Sequence, residues 1–398
     1  MSEKQVVARR SAALKTSGHL ARAGHQRFDG AAVLNSLHEG VVSISNVRRY
    51  AQIVVDRSKA RALHDIGARA TELAMDETVP VDQRAERLAA ELATLMQATS
   101  TRDPVRLGDS IREHIGVIEA RYEGRVRVTA TGLAALDRYM GGGFRPGNLV
   151  IVAARPSMGK TAMALTIGVH MAKSVGVGFV SLEMSREELN DRALALLGAG
   201  DLAHLQQPDQ ASADFWGRLT DAAHAANSPR LYIDDQSGLS LAQLALKARN
   251  LKRTRNIDVL IVDYLQLMSG RDDKVNRAYQ LEEICRGLKS LAKELNIVVI
   301  ALAQVNRRVG DAMPGLSDLK DSGSIEQDAD VVAFVHRPIQ HDPSLGTQFE
   351  HFAKLFIAKN RQGRTGVVPL AYIGHETRFG SWDGPEPQES RRPAGRDL

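Results

Sequence analysis

The sequence predicts an α/β protein with a mostly parallel sheet, preceded by a small all-helical N-terminal region and a linker helix. After residue 125, short apolar runs rich in valine and isoleucine alternate with helical stretches. The runs are continuously apolar, which is typical of parallel strands covered on both faces. They read NLVIVAA, GVGFVSLE, RLYID, IDVLIVD and NIVVIALAQ. An open sheet of this kind binds its ligand at the carboxyl ends of the strands.

Helices are predicted before and between these strands. Before residue 125, two segments rich in alanine, arginine and glutamate flank the break DETVP, and they cover Val47 to Met75 and Val81 to Ala98. The stretches between strands cover Lys160 to Lys173, Ser185 to Leu197, Leu241 to Arg255 and Arg277 to Leu295. Ser240 and Gln243 have the Ser-x-x-Gln form of a capping box, which marks a helix start.

Composition limits the class of protein. The chain has 398 residues, 43% of them apolar and 25% charged, as in ordinary folded proteins. Cys285 is the single cysteine, which excludes an internal disulfide and a cysteine-rich zinc site and favours a reducing, cytoplasmic setting. No apolar run approaches the length of a membrane span, so no membrane partner is expected.

The net charge of +5 is concentrated at the N-terminus. Residues 1–27 contain six basic residues and one acidic residue, which account for the whole excess. Such a tail has three interpretations: a flexible arm, an electrostatic tether for DNA, or an organelle presequence. Because the rest of the chain is formally neutral, any nucleic-acid path must be a local arrangement of lysines and arginines.

Five segments are expected along the chain. They are a basic flexible tail (1–30), a helical region (31–100), a linker with an amphipathic helix (101–124), a nucleotide-binding domain (125–382) and a flexible C-terminal tail (383–398). In the linker, Leu107, Ile111, Ile115 and Ile118 line one face of a helix that ends at Tyr122. A tethered amphipathic helix either folds back on its own domain or docks on a neighbouring subunit.

The stretch AARPSMGKTA, residues 153–162, nearly matches the phosphate-loop pattern G-x-x-x-x-G-K-[ST], with Ala154 in place of the first glycine. It lies between a predicted strand and a predicted helix, where backbone N–H groups and the helix N-terminus face an anion. Gly159 lets the backbone approach phosphate, Lys160 reaches the β- and γ-phosphates, and Thr161 places a hydroxyl on Mg²⁺. Alanine suffices at 154 unless that backbone is left-handed.

The loop therefore predicts binding of ATP and Mg²⁺, and the alternative is a chance Gly-Lys-Thr at a strand end. The expected nucleotide contacts are Ala154, Arg155, Pro156, Ser157, Met158, Gly159, Lys160, Thr161 and Ala162.

Polar residues follow three further strands at the same predicted edge of the sheet. Asp263 ends a very apolar strand and fits the role of holding Mg²⁺, Glu183 fits a general base that activates water, and Gln304 fits a sensor of the γ-phosphate. Taken singly, each has a structural alternative: a capping aspartate, an acid in a helix first turn beside Ser185, and a polar strand cap. Their shared edge with Lys160 favours the catalytic interpretation.

Several motifs carry a resemblance. In chain order they read ARPSMGKTA, SLEMS, IVDYLQLM, ALAQVNRR, SDLKDSGSIEQDAD and AKNRQGRTG. They resemble the motor domain of the DnaB-type replicative DNA helicases, the hexameric superfamily 4 helicases with a RecA-like P-loop NTPase core. The resemblance runs from about Thr131 to Phe379, with a weaker likeness at NVRRYAQIVVDRS. It implies an N-terminal domain shorter than usual, which leaves collar formation and primase contact open.

The resemblance also implies DNA-contacting residues. A loop resembling LKDSG lines the central channel of the family and contacts the phosphates of single-stranded DNA, which here implies Lys320, Asp321 and Gly323. A lysine supplies charge and a glycine allows close approach of backbone N–H groups. Its composition fits a solvated turn equally well.

The same resemblance assigns Lys359 and Arg361 as finger residues that reach a neighbouring subunit's triphosphate. The alternative for this segment is a basic hairpin, and Arg364 stands where the family usually has proline. Arg337 resembles a residue that stacks on the nucleotide base, as a planar guanidinium can.

The expected function is an ATP-dependent DNA helicase that forms a ring and acts on single-stranded and forked DNA. The resemblance implies a homohexamer, with a primase and a helicase loader as candidate partners, and it favours docking of the linker helix on a neighbour. One alternative is a nucleotide-switched loader-like protein that unwinds nothing. Another is a recombination-type protein that forms open filaments. A fused primase is excluded by the chain length and the lone cysteine.

Overall fold

The computed structural model describes residues 44–97, 105–123, 128–208, 214–268, 277–305, 315–316 and 327–388. The chain divides into two compact units, Met1–Asp103 and Pro104–Leu398. The basic tail predicted at 1–30 lies outside the described residues, as do residues 389–398 of the predicted C-terminal tail.

The first unit contains two helices, α1 (Ile44–Met75) and α2 (Val81–Gln97). Arg84 closes the turn between them, because its guanidinium donates hydrogen bonds to the carbonyls of Val79 at 2.5 Å and Ala74 at 2.9 Å. An ion pair between Arg69 and Glu91, 2.9 Å long, joins the two helices. They form an antiparallel hairpin.

The second unit begins with the linker helix α3 (Leu107–Tyr122), followed by the short helix α4 (Ala134–Tyr139). The apolar face predicted for α3 is exposed along its whole length in the single chain. Contiguous exposed apolar faces are typical of association surfaces in general.

A sheet of nine strands forms the centre of the second unit, in the order β3-β2-β4-β5-β1-β6-β7-β8-β9. The strands are β1 (Leu149–Ala154), β2 (Gly176–Ser181), β3 (Leu231–Asp234), β4 (Ile257–Asp263), β5 (Val298–Gln304), β6 (Val331–His336), β7 (Phe352–Asn360), β8 (Gly366–Ile373) and β9 (Arg378–Ser381). The first six are parallel to one another, and β7 to β9 continue the sheet as antiparallel strands.

The remaining helices of this unit lie between the strands. They are α5 (Lys160–Ala172), α6 (Arg186–Leu194), α7 (Leu202–Gln206), α8 (Phe215–Ala225), α9 (Leu241–Arg255), α10 (Arg277–Leu295) and α11 (Pro338–His341). α9 begins at the predicted capping box, since the Ser240 hydroxyl accepts from the Gln243 N–H and the Gln243 side chain accepts from the Ser240 N–H. Among the described residues, no helix is both long and apolar enough to cross a membrane.

The hydrophobic core covers both faces of the parallel strands. In β1, Val150 and Val152 belong to the cluster around α5, whereas Leu149 and Ile151 belong to the cluster beneath α9 and α10. Burial on both sides explains why these strands are continuously apolar. The core therefore holds the carboxyl ends of β2, β4, β5 and β1 side by side at one edge of the sheet.

Candidate nucleotide-binding site

The phosphate loop joins the end of β1 to the start of α5. Its backbone is left-handed at Ser157, with φ 65°, and at Gly159, with φ 92°. A Cβ atom added to Gly159 would lie 3.1 Å from the Phe379 ring, so only glycine fits there without displacing the core. Ala154 is the last residue of β1, in register with Gln304 and Val335, so it has strand geometry and its methyl group is accommodated.

Lys160, the first residue of α5, forms the centre of a buried charge cluster. Its ammonium nitrogen lies 3.0 Å from Asp263 Oδ1, and the Thr161 hydroxyl donates a 2.6 Å hydrogen bond to Asp263 Oδ2. The Asp263 side chain is 0% exposed and that of Lys160 is 12% exposed. A carboxylate buried this deeply needs a cation, and here Lys160 is that cation.

Tyr264 covers the same lysine, with its ring centroid 3.7 Å from Lys160 Nζ. Burial, and then the charges of Glu183 and Asp263, raise the pKa of the Tyr264 phenol. The phenol therefore stays protonated and serves as an aromatic surface for the ammonium group.

Glu183 lies two residues beyond the end of β2, with its Oε2 3.3 Å from Lys160 Nζ and its side chain 46% exposed. The alternative of a helix first-turn acid is wrong. Ser185 is the N-cap of α6, and Glu188 completes its capping box, so Glu183 precedes the helix. Its carboxylate is held at the phosphate loop yet remains accessible to water.

Gln304 ends β5 beside Ala154, and its side chain is exposed. Its backbone is clamped by Gln266, whose amide nitrogen donates to Gln304 O at 3.1 Å and whose amide oxygen accepts from Gln304 N at 3.2 Å. Gln266 was not predicted as a site residue. Its signal in the sequence is its place inside IVDYLQLM, three residues after Asp263.

Arg337 packs against the outer side of the phosphate loop. Its guanidinium lies 4.0 Å from the centroid of the Tyr372 ring, and its Nη1 donates a 3.4 Å hydrogen bond to Ser157 O. Burial lowers the pKa of Arg337. Arg155 is held nearby, 3.0 Å from His341 Nδ1. Tyr372 was missed because nothing local in β8 marks it, and only the pairing of distant strands brings it to the loop.

The two predicted finger residues lie at the opposite ends of the strands, where β1 and β6 begin. Lys359 is in register with Val332 near the start of β6, and the Arg361 N–H donates to Asp330 O at 2.9 Å. The phosphate loop follows the other end of β1, roughly 15 Å away at about 3.3 Å per strand residue. The structure thus brings Lys160, Thr161, Asp263, Glu183 and Gln304 together but separates Lys359 and Arg361 from them.

The DNA-contacting residues predicted from the resemblance, Lys320, Asp321 and Gly323, lie outside the described residues. They belong to the connection between β5 and β6, the two neighbours of β1.

The ligand chemistry of the site fits Mg²⁺ shared with phosphate oxygens. Within the described residues, no group of three or more His, Cys, Asp and Glu side chains could hold a metal ion. Asp263 and Thr161 supply one carboxylate and one hydroxyl, and Asp263 Oδ1 is buried with no hydrogen-bond partner among those residues beyond its ion pair. Mg²⁺ is typically bound by few protein oxygens together with substrate phosphates and water.

Comparisons with known proteins agree with this geometry. Residues 129–381 match the model of the DnaB-like helicase C terminal domain. The replicative DNA helicase DnaC of Bacillus subtilis (strain 168) is 35% identical over an alignment of 365 residues, and the match covers 89% of this chain and 79% of that protein.

Two solved structures are similar as well. The ATPase domain of the protein G40P is 33% identical with a TM-score of 0.65, and the match covers 71% of this chain and all of that one. A DnaB-like replicative helicase, whose structure was described with its interactions with primase, is 29% identical with a TM-score of 0.65, over 88% of this chain and 83% of that one. The RecA-like fold and the resemblance inferred from the motifs are confirmed. This chain belongs to the DnaB-like helicase family.

Proposed function

We propose that this protein is an ATP-dependent replicative DNA helicase that assembles as a ring, translocates on single-stranded DNA and unwinds duplex DNA at the fork. The observation that carries the proposal is the meeting of Lys160 and Thr161, at the start of α5, with Asp263, which ends β4, and Glu183, which follows β2, in a chain of this family. A protein that only binds nucleotide has no need of an accessible carboxylate beside the phosphate lysine.

Residues of the phosphate loop and the strand ends bind Mg–ATP in this proposal. Backbone N–H groups of the loop and the Lys160 ammonium hold the phosphates, while Thr161 and Asp263 hold the metal ion. Mg²⁺ held by these two residues would supply positive charge beside the phosphate oxygens. Arg337 offers its guanidinium plane to the base, from a position against Ser157 and Tyr372.

Glu183 is the proposed general base. In the structure Lys160 pairs with both Asp263 and Glu183. When phosphates take over the ammonium group, Glu183 loses this partner and its carboxylate becomes available to accept a proton from the attacking water. Gln304, clamped through its backbone by Gln266, presents its side-chain amide near the γ-phosphate as a sensor.

Assembly completes the site. Lys359 and Arg361 lie a strand length away from their own phosphate loop, so we assign them to the site of a neighbouring copy, where an arginine stabilises charge on the transferred phosphoryl group. The exposed apolar face of α3 supports docking of this linker helix on that neighbour. A homohexamer is the ring that the family implies.

Lys320, Asp321 and Gly323 are the proposed contacts to single-stranded DNA in the channel, and forked DNA is the proposed substrate. A primase is a candidate partner because a related helicase has been described with one, and a helicase loader is a second. Within the described part of the first unit, the hairpin of α1 and α2 is the surface that we propose for such contacts.

Two measurements on the purified protein test the proposal: ATP hydrolysis with and without single-stranded DNA, and strand displacement on a forked duplex. We expect single-stranded DNA to stimulate ATP hydrolysis. We expect Lys160→Ala to lower the rates of ATP hydrolysis and of strand displacement at least about a thousandfold. Lys173→Ala, at the exposed end of the same helix, is the control. Hydrolysis at the normal rate in Lys160→Ala would refute the site. ATP binding and partner binding without strand displacement would identify the loader-like alternative.

A further inference from the structure

Asp330 lies where three parts of the motor domain meet, at the sheet edge opposite the phosphate loop. Its Oδ2 accepts a 2.7 Å hydrogen bond from Leu149 N, at the start of β1, and pairs with the Lys289 ammonium of α10. Its Oδ1 lies 3.7 Å from Arg361 Nη1, and its backbone carbonyl accepts from the Arg361 N–H at 2.9 Å. One residue therefore contacts a core strand, a core helix and a finger residue.

The carboxylate is a fixed charge. The Asp330 side chain is 7% exposed and that of Lys289 is 13% exposed, and the lysine also donates to Gly147 O at 2.7 Å. A charge buried in this way is stable only with its hydrogen bonds and its counter-ion in place. Leu149 and Lys289 together keep Asp330 in one position.

Arg361 is held much more loosely. Its side chain is 46% exposed, and it also donates to the carbonyl oxygen of Gln327, as Lys359 does. A long, half-exposed ion pair of this kind is weak, and a phosphate offers a guanidinium shorter, charge-assisted hydrogen bonds. The contact can orient Arg361 without competing with a phosphate.

We propose that Asp330 is a positioning residue for the arginine finger. It holds Arg361 at the sheet edge away from its own phosphate loop and aims the guanidinium toward the nucleotide of the neighbouring copy. This inference rests on the proposed function, because it requires Arg361 to act in trans. Orientation before docking matters, since ordering a long side chain costs entropy and a displacement of about 1 Å in a catalytic group can lower the rate about a hundredfold.

The variant Asp330→Asn tests the role of the charge. Its amide oxygen can still accept from Leu149 N, but the attraction for Arg361 is lost. We expect kcat for ATP hydrolysis to fall about tenfold while KM changes less than about twofold, because the variant's own phosphate loop is intact. Asp258→Asn is the matched control: it removes the carboxylate of another partly buried ion pair, 2.9 Å from Lys252 Nζ near the start of β4 and several strands from Arg361 in the sheet order, so kcat should stay near the wild-type value.

The ATPase rate of a mixture of two variant subunits gives a second test, because a loss of stability would not raise that rate. Asp330→Asn subunits have an intact phosphate site and a misplaced finger, whereas Lys160→Ala subunits have the reverse. In mixed rings, an Asp330→Asn site next to a Lys160→Ala subunit receives a correctly held finger. The ATPase rate of the mixture should therefore exceed the sum of the two separate rates, and Arg361→Ala mixed with Lys160→Ala is the positive control.

The outcomes separate the inference from the function on which it rests. A gain with Arg361→Ala but none with Asp330→Asn would overturn the positioning role and leave the trans finger intact. No gain in either mixture would overturn the trans finger itself. Equal losses of kcat in Asp330→Asn and Asp258→Asn would also overturn the positioning role, since the loss of any partly buried ion pair at this end of the strands would then account for the effect.

Discussion

The ammonium nitrogen of Lys160 lies 3.0 Å from Asp263 Oδ1, and it is the only ion-pair partner of this fully buried carboxylate among the described residues. Glu183 lies on the same lysine at 3.3 Å. A triphosphate must therefore compete with both carboxylates for Lys160. In the proposed mechanism this exchange links binding to catalysis, because the step that secures the phosphates would also release Asp263 for a metal ion and Glu183 for water.

Replacing Glu183 by glutamine should separate binding from hydrolysis. The amide cannot accept the proton of the attacking water, so we expect kcat to fall about 10²- to 10⁴-fold, the usual contribution of a general base. ATP affinity should be unchanged or slightly higher, because Lys160 loses a competitor for the phosphates. Equilibrium titration with a fluorescent ATP analogue and single-turnover hydrolysis measure the two effects.

Glu187→Gln is the control for that experiment, since Glu187 is exposed in the first turn of α6 and makes no contact with the phosphate loop. Its hydrolysis rate should equal that of the wild type. Hydrolysis by Glu183→Gln at a rate within about threefold of wild type would remove Glu183 from the role of general base.

Restoring the consensus glycine at position 154 should not improve the phosphate loop. Ala154 is a buried strand residue between β5 and β6, so Ala154→Gly should lower the free energy of unfolding by about 0.5–1 kcal/mol, the usual cost of glycine in a strand. ATP affinity should stay within about twofold of wild type. Chemical denaturation and nucleotide titration check the two values.

Gly159→Ala is the counterpart within the same loop. Its Cβ would lie 3.1 Å from Phe379 at a φ of 92°, so this variant should lose ATP binding. Tighter ATP binding by Ala154→Gly would show that the alanine impairs the phosphate loop. It would contradict the conclusion that the strand geometry of residue 154 accommodates a methyl group.

The grouping of the proposed site residues at one end of the parallel strands was predictable from the sequence, whereas the residues that support them were not. Asp263 and Gln304 end continuously apolar runs, and the carboxyl ends of parallel strands meet at one edge. Local pattern is enough for such residues. Gln266 and Asp330 act through hydrogen bonds to other strands, and these pairings exist only once the sheet order is known.

Strands β7 and β8 were missed for a related reason, whereas β6, which reads VVAFVH and is buried throughout, has the same continuous apolar character as β1 and was not included in the prediction. Buried and partly exposed residues alternate along β7 and β8, and Lys354 and Lys359 interrupt the apolar sequence of β7 while Pro369 interrupts that of β8. The separation of Arg361 from its own phosphate loop could not be predicted either. It follows from β7 running antiparallel to β6, which returns the chain to the edge where β1 begins.

The linker helix should control assembly. Ile115 lies on the exposed apolar face of α3, so Ile115→Asp should place a charge where a neighbour would pack and should reduce the ring to smaller species. The free energy of unfolding of the single chain should change by less than about 0.5 kcal/mol, because the site is exposed there. Native mass spectrometry with ATP and DNA present measures the assembly.

Glu113→Ala, on the opposite face of the same helix, should leave the assembly intact. Rings of full mass formed by Ile115→Asp would argue that this face is not the contact between subunits.

His336 should give the protein a distinct loss of stability in acid. His336 is the last residue of β6. Its burial, followed by electrostatic repulsion from His341, Arg155 and Lys354, lowers its pKa from 6.5 to about 4. The unfolded state therefore takes up a proton between pH 6.5 and 4 that the folded state does not. The stability that depends on neutral His336 is fully present above about pH 6.5 and falls as the pH drops to about 4, by roughly 2–3 kcal/mol.

Urea denaturation across this range should show a shallower pH dependence for His336→Gln than for wild type. The control is His224→Gln, which replaces an exposed histidine of α8 and should follow the wild-type curve. Parallel curves for His336→Gln and wild type would mean that His336 takes up its proton equally in both states.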